Sequence, residues 1–93
     1  QCFKKHLAGY RFVLEKRNGD LMIYEYENAD KKNAMVVWSA TQNGSSLKYT
    51  TRLTGKKNHT VIVPNNTTEG KISNKPGDKV DITVTELPQI ILY

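Results

Sequence analysis

One cysteine, three arginines, two histidines and no long apolar run are the scarcities of this 93-residue chain, and each removes a class of protein. A bridge needs two thiols, so Cys2 cannot form a disulfide within the chain, and the usual staple of small secreted domains is missing. Two histidines some fifty positions apart and one cysteine are too few for a four-ligand zinc site. Gly-rich phosphate loops are absent, and nothing approaches the roughly 18 consecutive apolar residues of a spanning helix. No metal, cofactor or membrane span is expected. Domains run to roughly 50 to 200 residues, so 1–93 reads as one unit with a modest core. No internal repeat, linker or low-complexity tract divides it.

What is abundant is positive charge and β-pattern. Lys plus Arg 14 against Asp plus Glu 9 gives a formal net charge of +5. The basic residues recur as pairs, Lys4-Lys5, Lys16-Arg17, Lys31-Lys32 and Lys56-Lys57, at positions the pattern places in strand ends or loops. A basic domain invites a nucleic-acid reading. Yet guanidinium is the group that reads bases and phosphates bidentately, and only Arg11, Arg17 and Arg52 supply it.

The chain reads as strands with no convincing helix. Tyr10, Phe12 and Leu14 alternate with Arg11, Val13 and Glu15, the period-2 mark of a strand with one buried face. Asn18-Gly19-Asp20 is a strong hairpin signal, so the strand over 21–27 pairs back on the first. The apolar run over 34–40 is short enough for a buried strand. After a second Asn-Gly turn, Leu47, Tyr49, Thr51 and Leu53 alternate with Lys48, Thr50, Arg52 and Thr54. Thr60 to Val63 forms a short strand ended by Pro64. Residues 65–78 read as the longest loop. Val80, Ile82 and Val84 point inward against Asp81, Thr83 and Thr85, and Ile90 to Tyr93 is either a last strand or an apolar tail. Six or seven short strands with frequent turns predict a small all-β antiparallel β-sandwich or barrel. Phe12, Ile23, Val37, Trp38, Val61 and Val84 are the expected core, with Trp38 its anchor.

Catalytic groups are sparse. Cys2, His6 and His59 are the candidate nucleophile and bases, and a Cys-His pair at a chain end is poorly held, so no catalytic residue is assigned and no enzyme is expected. Glu25 and Glu27 share a strand face where solvation is the expected state. Acceptor triplets for N-glycosylation start at Asn43, Asn58, Asn65 and Asn66, and a chain beginning at Gln1 looks like a mature form, both compatible with secretion. Tyr24, Tyr26 and Tyr49 could stack on a sugar or a base; the expected role is core, because aromatics fit a half-buried pleat.

Two resemblances follow. Gln1-Cys2 with His6-Leu7, the Leu14 to Gly19 stretch, the aromatic-acidic strand Ile23 to Glu27, a lysine-bearing loop and Met35-Val-Val-Trp38 resemble the layout of the MAX effectors. These are small secreted proteins of plant-pathogenic ascomycete fungi, the avirulence- and ToxB-like group. The resemblance covers about residues 1 to 40 and implies six strands in two three-stranded sheets, secretion, passage into the host cell, and non-enzymatic binding of a host protein as a monomer. The family's usual disulfide has no second cysteine here. Secondly, the span Lys16, Asn18, Asp20, Met22, Tyr24, followed by Val37-Trp38-Ser39, is similar in spacing to the mannose motif of monocot lectins, which makes carbohydrate binding the alternative; a nucleic-acid-binding small β-barrel comes third. The expected mechanism is a sheet edge or basic face engaging an acidic partner, with Lys16, Arg17, Lys31 and Lys32 as its residues.

Overall fold

The computed structural model describes residues 7–40, 46–53, 55–63 and 70–93. Among these there is no helix, and the strands are β1 (Tyr10–Asn18), β2 (Leu21–Asn28), β3 (Asn33–Ser39), β4 (Leu47–Arg52), β5 (Asn58–Val63), β6 (Lys71–Pro76), β7 (Lys79–Val84) and β8 (Gln89–Leu92). They form a six-stranded sheet in the order β1-β2-β3-β8-β5-β6 and a two-stranded sheet of β4 and β7. Every pairing is antiparallel. The all-β antiparallel sandwich expected from the periodicity is what forms.

Strand count and partition differ from the expectation: eight described strands instead of six or seven, divided six and two instead of three and three. β6 lies inside the stretch read as loop. Its sequence, KISNKP, is polar and ends in proline, and only Ser73 is not exposed. An edge strand can have that composition because it needs a ladder on one side only. β8 does the joining. It pairs with β3 through Ala34↔Leu92 and with β5 through Thr60↔Leu92, so strands distant in sequence enter one sheet. Ile90 and Ile91 are both fully buried, one on each face. A strand covered on both faces reads as a continuous apolar run, not as an alternation.

The main core fills the space between the sheets: Leu21, Ile23, Met35, Val37, Val61 and Ile91 from the larger one meet Val80 and Val84 from β7, with Leu53 closing one side. The strict alternation of β4 and β7 aims Leu47, Tyr49 and Ile82 at the same core. A second cluster, Val36, Ile62 and Ile90 with Leu7, Tyr24, Tyr26, Trp38 and Leu92 packed against it, lies on the opposite face of the larger sheet.

Two expected core residues are corrected. Trp38 is half-buried on that second face, because it stands one residue out of phase with Val37. Phe12 is 54% exposed. β1 is an edge, and a bulge between Phe12 and Leu14 moves Leu14 to the other face, so the alternation of Tyr10, Phe12 and Leu14 never presents one dry side. The first hairpin does form. Asn18 pairs with Leu21, which leaves Gly19-Asp20 as the two loop residues, with Gly19 at φ 62 in the place where a two-residue turn needs glycine first.

Candidate functional site

The registers bring two connections and the residue that follows β8 to one end of the molecule. Glu27 pairs with Asn33 where the β2–β3 turn begins, Ala34 pairs with Leu92, and Thr60 pairs with Leu92. The β2–β3 turn, the segment leading from β4 into β5, and Tyr93 are therefore neighbours. The first two arrive with basic residues, Lys31-Lys32 and Lys56-Lys57.

Local hydrogen bonding holds the first. The Asn28 side-chain oxygen accepts from the backbone N–H of both Asp30 and Lys32 at 2.9 Å. The Lys31 N–H donates to the Asn28 carbonyl at 3.1 Å, and Lys31 takes a left-handed φ of 62 to complete the turn. The second is pinned at both ends: Lys56 N–H donates to Leu53 carbonyl at 3.0 Å, and Gly77 N–H donates to Lys57 carbonyl at 2.8 Å. Buried Leu53 anchors this segment in the core. Tyr93 exchanges both backbone bonds with Asn33, at 2.8 and 2.9 Å.

Between these elements runs a groove with two lobes. One, of about 400 Å³, is lined by Tyr10, Lys32, Lys56, Lys57, Leu92 and Tyr93 among others. The second, of about 310 Å³, lies toward the gap between the sheets and includes Lys16, Glu25, Tyr49, Arg52, Lys56 and Tyr93. Lys56 and Tyr93 belong to both lobes, and the Lys56 ammonium sits 5.9 Å from the centre of the Tyr93 ring. Five cations face a single carboxylate, Glu25, and that carboxylate is already 2.9 Å from Lys16. The hydrogen bond and charge of Glu25 hold the Lys16 ammonium above its ordinary pKa. Burial, followed by the charge of Glu25, pushes the Tyr93 phenol up to about 12. The site therefore presents ammonium, guanidinium and phenolic donors, and it suits an anion.

The four sequence-predicted binding residues separate. Lys16 and Lys32 line the groove, one in each lobe. Lys31 faces a different hollow beside Gly9, Arg11 and Glu27. Arg17 lies at the other end of the β1–β2 hairpin, its Nε donating to the Gly19 carbonyl at 3.3 Å. Sequence reasoning left Arg52, Lys56, Lys57 and Tyr93 out of the site. The Lys56-Lys57 pair was visible as a pair; its proximity to Lys32 depends on β8 bridging β3 and β5.

Other sequence candidates are placed as follows. His59 is buried, with Nδ1 3.2 Å from the Gly77 carbonyl, a bond in which the ring N–H donates and which ties β5 to the β6–β7 turn. Cys2 and His6 lie outside the described residues, as do the acceptors Asn43, Asn65 and Asn66; Asn58 is exposed at the start of β5. Glu25 and Glu27 have cross-strand partners, Lys16 at 2.9 Å and Arg11 at 3.2 Å. Among the described residues no three His, Cys, Asp or Glu gather as a metal set, and no helix is long and apolar enough to cross a membrane.

The tyrosines do not share a surface. Tyr49 joins the main core, whereas Tyr24 and Tyr26 sit on the opposite face of the larger sheet. There Phe12 meets both edge-on, at 5.6 and 5.7 Å, and Tyr24 meets Trp38 at 4.8 Å with planes 78° apart. Edge-to-face packing of exposed Phe12 and half-buried Tyr24, Tyr26 and Trp38 satisfies the rings with one another. The span resembling the lectin motif is folded in two at Gly19-Asp20, so Lys16 and Asn18 stand on β1 and Tyr24 on β2. Alternate residues share a face only along a continuous strand. A scan against family models finds no match, and a search of the curated proteins finds none either.

Proposed function

We propose that this chain is a non-enzymatic binding module that docks an acidic surface of a partner protein, the role expected of a secreted effector acting on a host protein. The observation that carries the reading is the convergence of Lys32, Lys56 and Lys57, from two separate connections, on a groove continued by Arg52 and Lys16. An excess of cations over carboxylates in a concave site steers an acidic partner and raises its association rate.

Of the two docking modes a sandwich offers, the charged face has more support than a sheet edge. β1 carries Arg11, Glu15, Lys16 and Arg17 together with a bulge, and β6 carries Lys71, Lys75 and Pro76. Charges, bulges and proline are the devices that keep edge strands from pairing with other chains. The effector assignment itself rests on the sequence pattern over residues 1 to 40, and the six-plus-two division of strands departs from the group's two three-stranded sheets.

The test is a kinetic one on an acidic protein captured from host plant extract, comparing wild type with a Lys32→Glu/Lys57→Glu double variant over a range of salt. The on-rate should fall about ten-fold or more in the variant, and the wild type should lose its advantage as salt rises. Binding indifferent to both changes would remove the groove from the interface.

A further inference from the structure

The groove differs from a flat basic patch in two respects. It is concave along both lobes, at about 400 and 310 Å³, and apolar or aromatic side chains stand among its polar groups: Leu92 and Tyr93 in one lobe, Tyr49 in the other, with Met35 and Leu53 buried behind it. Lys32, Lys57 and Arg52 are exposed, whereas Met35 and Leu53 are buried and Tyr49, Leu92 and Tyr93 are half-buried. The charges therefore rise around the rim, with the apolar groups lower down. Lobes of this size accept individual side chains, and a flat protein surface would leave them unfilled.

On this basis, and resting on the docking reading above, we propose that the groove takes an extended acidic segment of its partner, in which carboxylates alternate with apolar side chains. In an extended chain successive side chains point opposite ways. One set descends onto Leu92, Tyr93 and Tyr49 while the other turns up to the rim cations, whose long aliphatic stems let the charged heads reach over the bound chain. Lys56 and Tyr93, shared by both lobes, form the saddle the segment must cross. The Tyr93 hydroxyl is a donor for a carboxylate there. A single-stranded nucleic acid is the weaker occupant. It needs ring faces free for successive bases, and here the Tyr93 ring lies beside Lys56 while the Tyr49 hydroxyl is directed at Met35 Sδ at 3.9 Å.

The experiment is fluorescence anisotropy on the whole chain with three labelled probes: a dodecapeptide of Glu-Leu-Glu-Ser repeats, a peptide of the same composition with all glutamates in one block, and oligo(dT) of equal length. The patterned peptide should bind about five-fold or more tightly than the blocked one, and Lys56→Glu should weaken it about ten-fold, the scale set by reversing one charge that meets carboxylates in both lobes. Lys71→Glu, at the far end of the β5–β6 pair, should change it less than about two-fold. Equal binding of the two peptides, equal effects of the two variants, or tighter binding of oligo(dT) would each overturn the proposal. Failure here alongside charge-dependent capture of the host protein leaves docking in place and removes the linear segment. Failure of both, with neither responding to groove charge, removes the docking reading as well.

Discussion

Tyr93 illustrates how a single side chain joins stability to the site. Burial and the nearby Glu25 charge raise its phenol to about 12, whereas an unfolded tyrosine titrates near 10. Between those values the unfolded chain has lost the proton and the folded chain keeps it, so stability conferred by the neutral phenol is intact below about pH 10 and declines toward pH 12. Phenolate absorbance should show one tyrosine titrating near 12, and urea midpoints should fall between pH 9.5 and 11.5 more in wild type than in Tyr93→Phe. At the same scale, burial ranks two apolar residues that sequence periodicity treats alike. Ile91 is fully buried in the main core, and Ile91→Ala should cost about 2 to 5 kcal/mol. Phe12, exposed at the edge with two edge-on ring contacts, should cost about 1 kcal/mol on truncation. Urea denaturation of both variants checks the order; equal losses would mean that β1 is packed more tightly than its exposure indicates. Val84 was legible as core from its alternation with Thr83 and Thr85, and Ile23, Val37 and Val61 from their places in short apolar strand runs. Phe12 and Trp38 were not, because hydrophobicity does not say which of two apolar faces is covered.

Among the elements, the β1–β2 hairpin was readable and its turn was readable in part. The Asn-Gly signal marks the site, and the register then makes Gly19-Asp20 the loop, with Asn18 on the ladder. Gly19 is left-handed, and a Cβ built there would meet nothing within 4 Å, so substitution costs backbone strain alone. Gly19→Ala should lower stability by about 1 kcal/mol without altering the core, visible as a shifted denaturation midpoint with unchanged slope. The β4 and β7 strands were legible for a different reason: each has one wet and one dry face, so the period of two survives intact in LKYTTR and KVDITV. β6 and β8 were obscured by their positions. An edge strand with almost no buried side chain carries no hydrophobic period, and a central strand buried on both faces carries no polar one.

For the whole molecule, charge distribution is the property on which the proposed docking rests, and it is not a property of any one segment. The mutual repulsion of Lys32, Lys56 and Lys57 at one end of the sheets opposes folding at low ionic strength. Added salt should therefore raise the thermal midpoint of the wild type, and the Lys32→Glu/Lys57→Glu variant should lose most of that response while keeping stability within about 0.5 kcal/mol at moderate salt. A differential scanning series in sodium chloride measures both, and it establishes that a loss of partner binding in the variant is not a loss of fold. A salt response identical in the two proteins would mean that the cluster does not act as one charged site.

The amino-acid sequence by itself determined the class of this protein: alternation, hairpin residues and the lack of any helical period specify antiparallel β-structure, and the single cysteine leaves no disulfide within the chain to support it. Those are local or compositional properties, readable over a few residues. Only the tertiary structure decided that the larger sheet has six strands, that Trp38 faces away from the main core, and that four of the lysines share a groove with Tyr93. The physical reason is β8. Its short apolar run holds no information about its neighbours, yet by pairing with β3 and β5 it brings together connections more than twenty residues apart, and a groove made of such connections exists only after that pairing has formed.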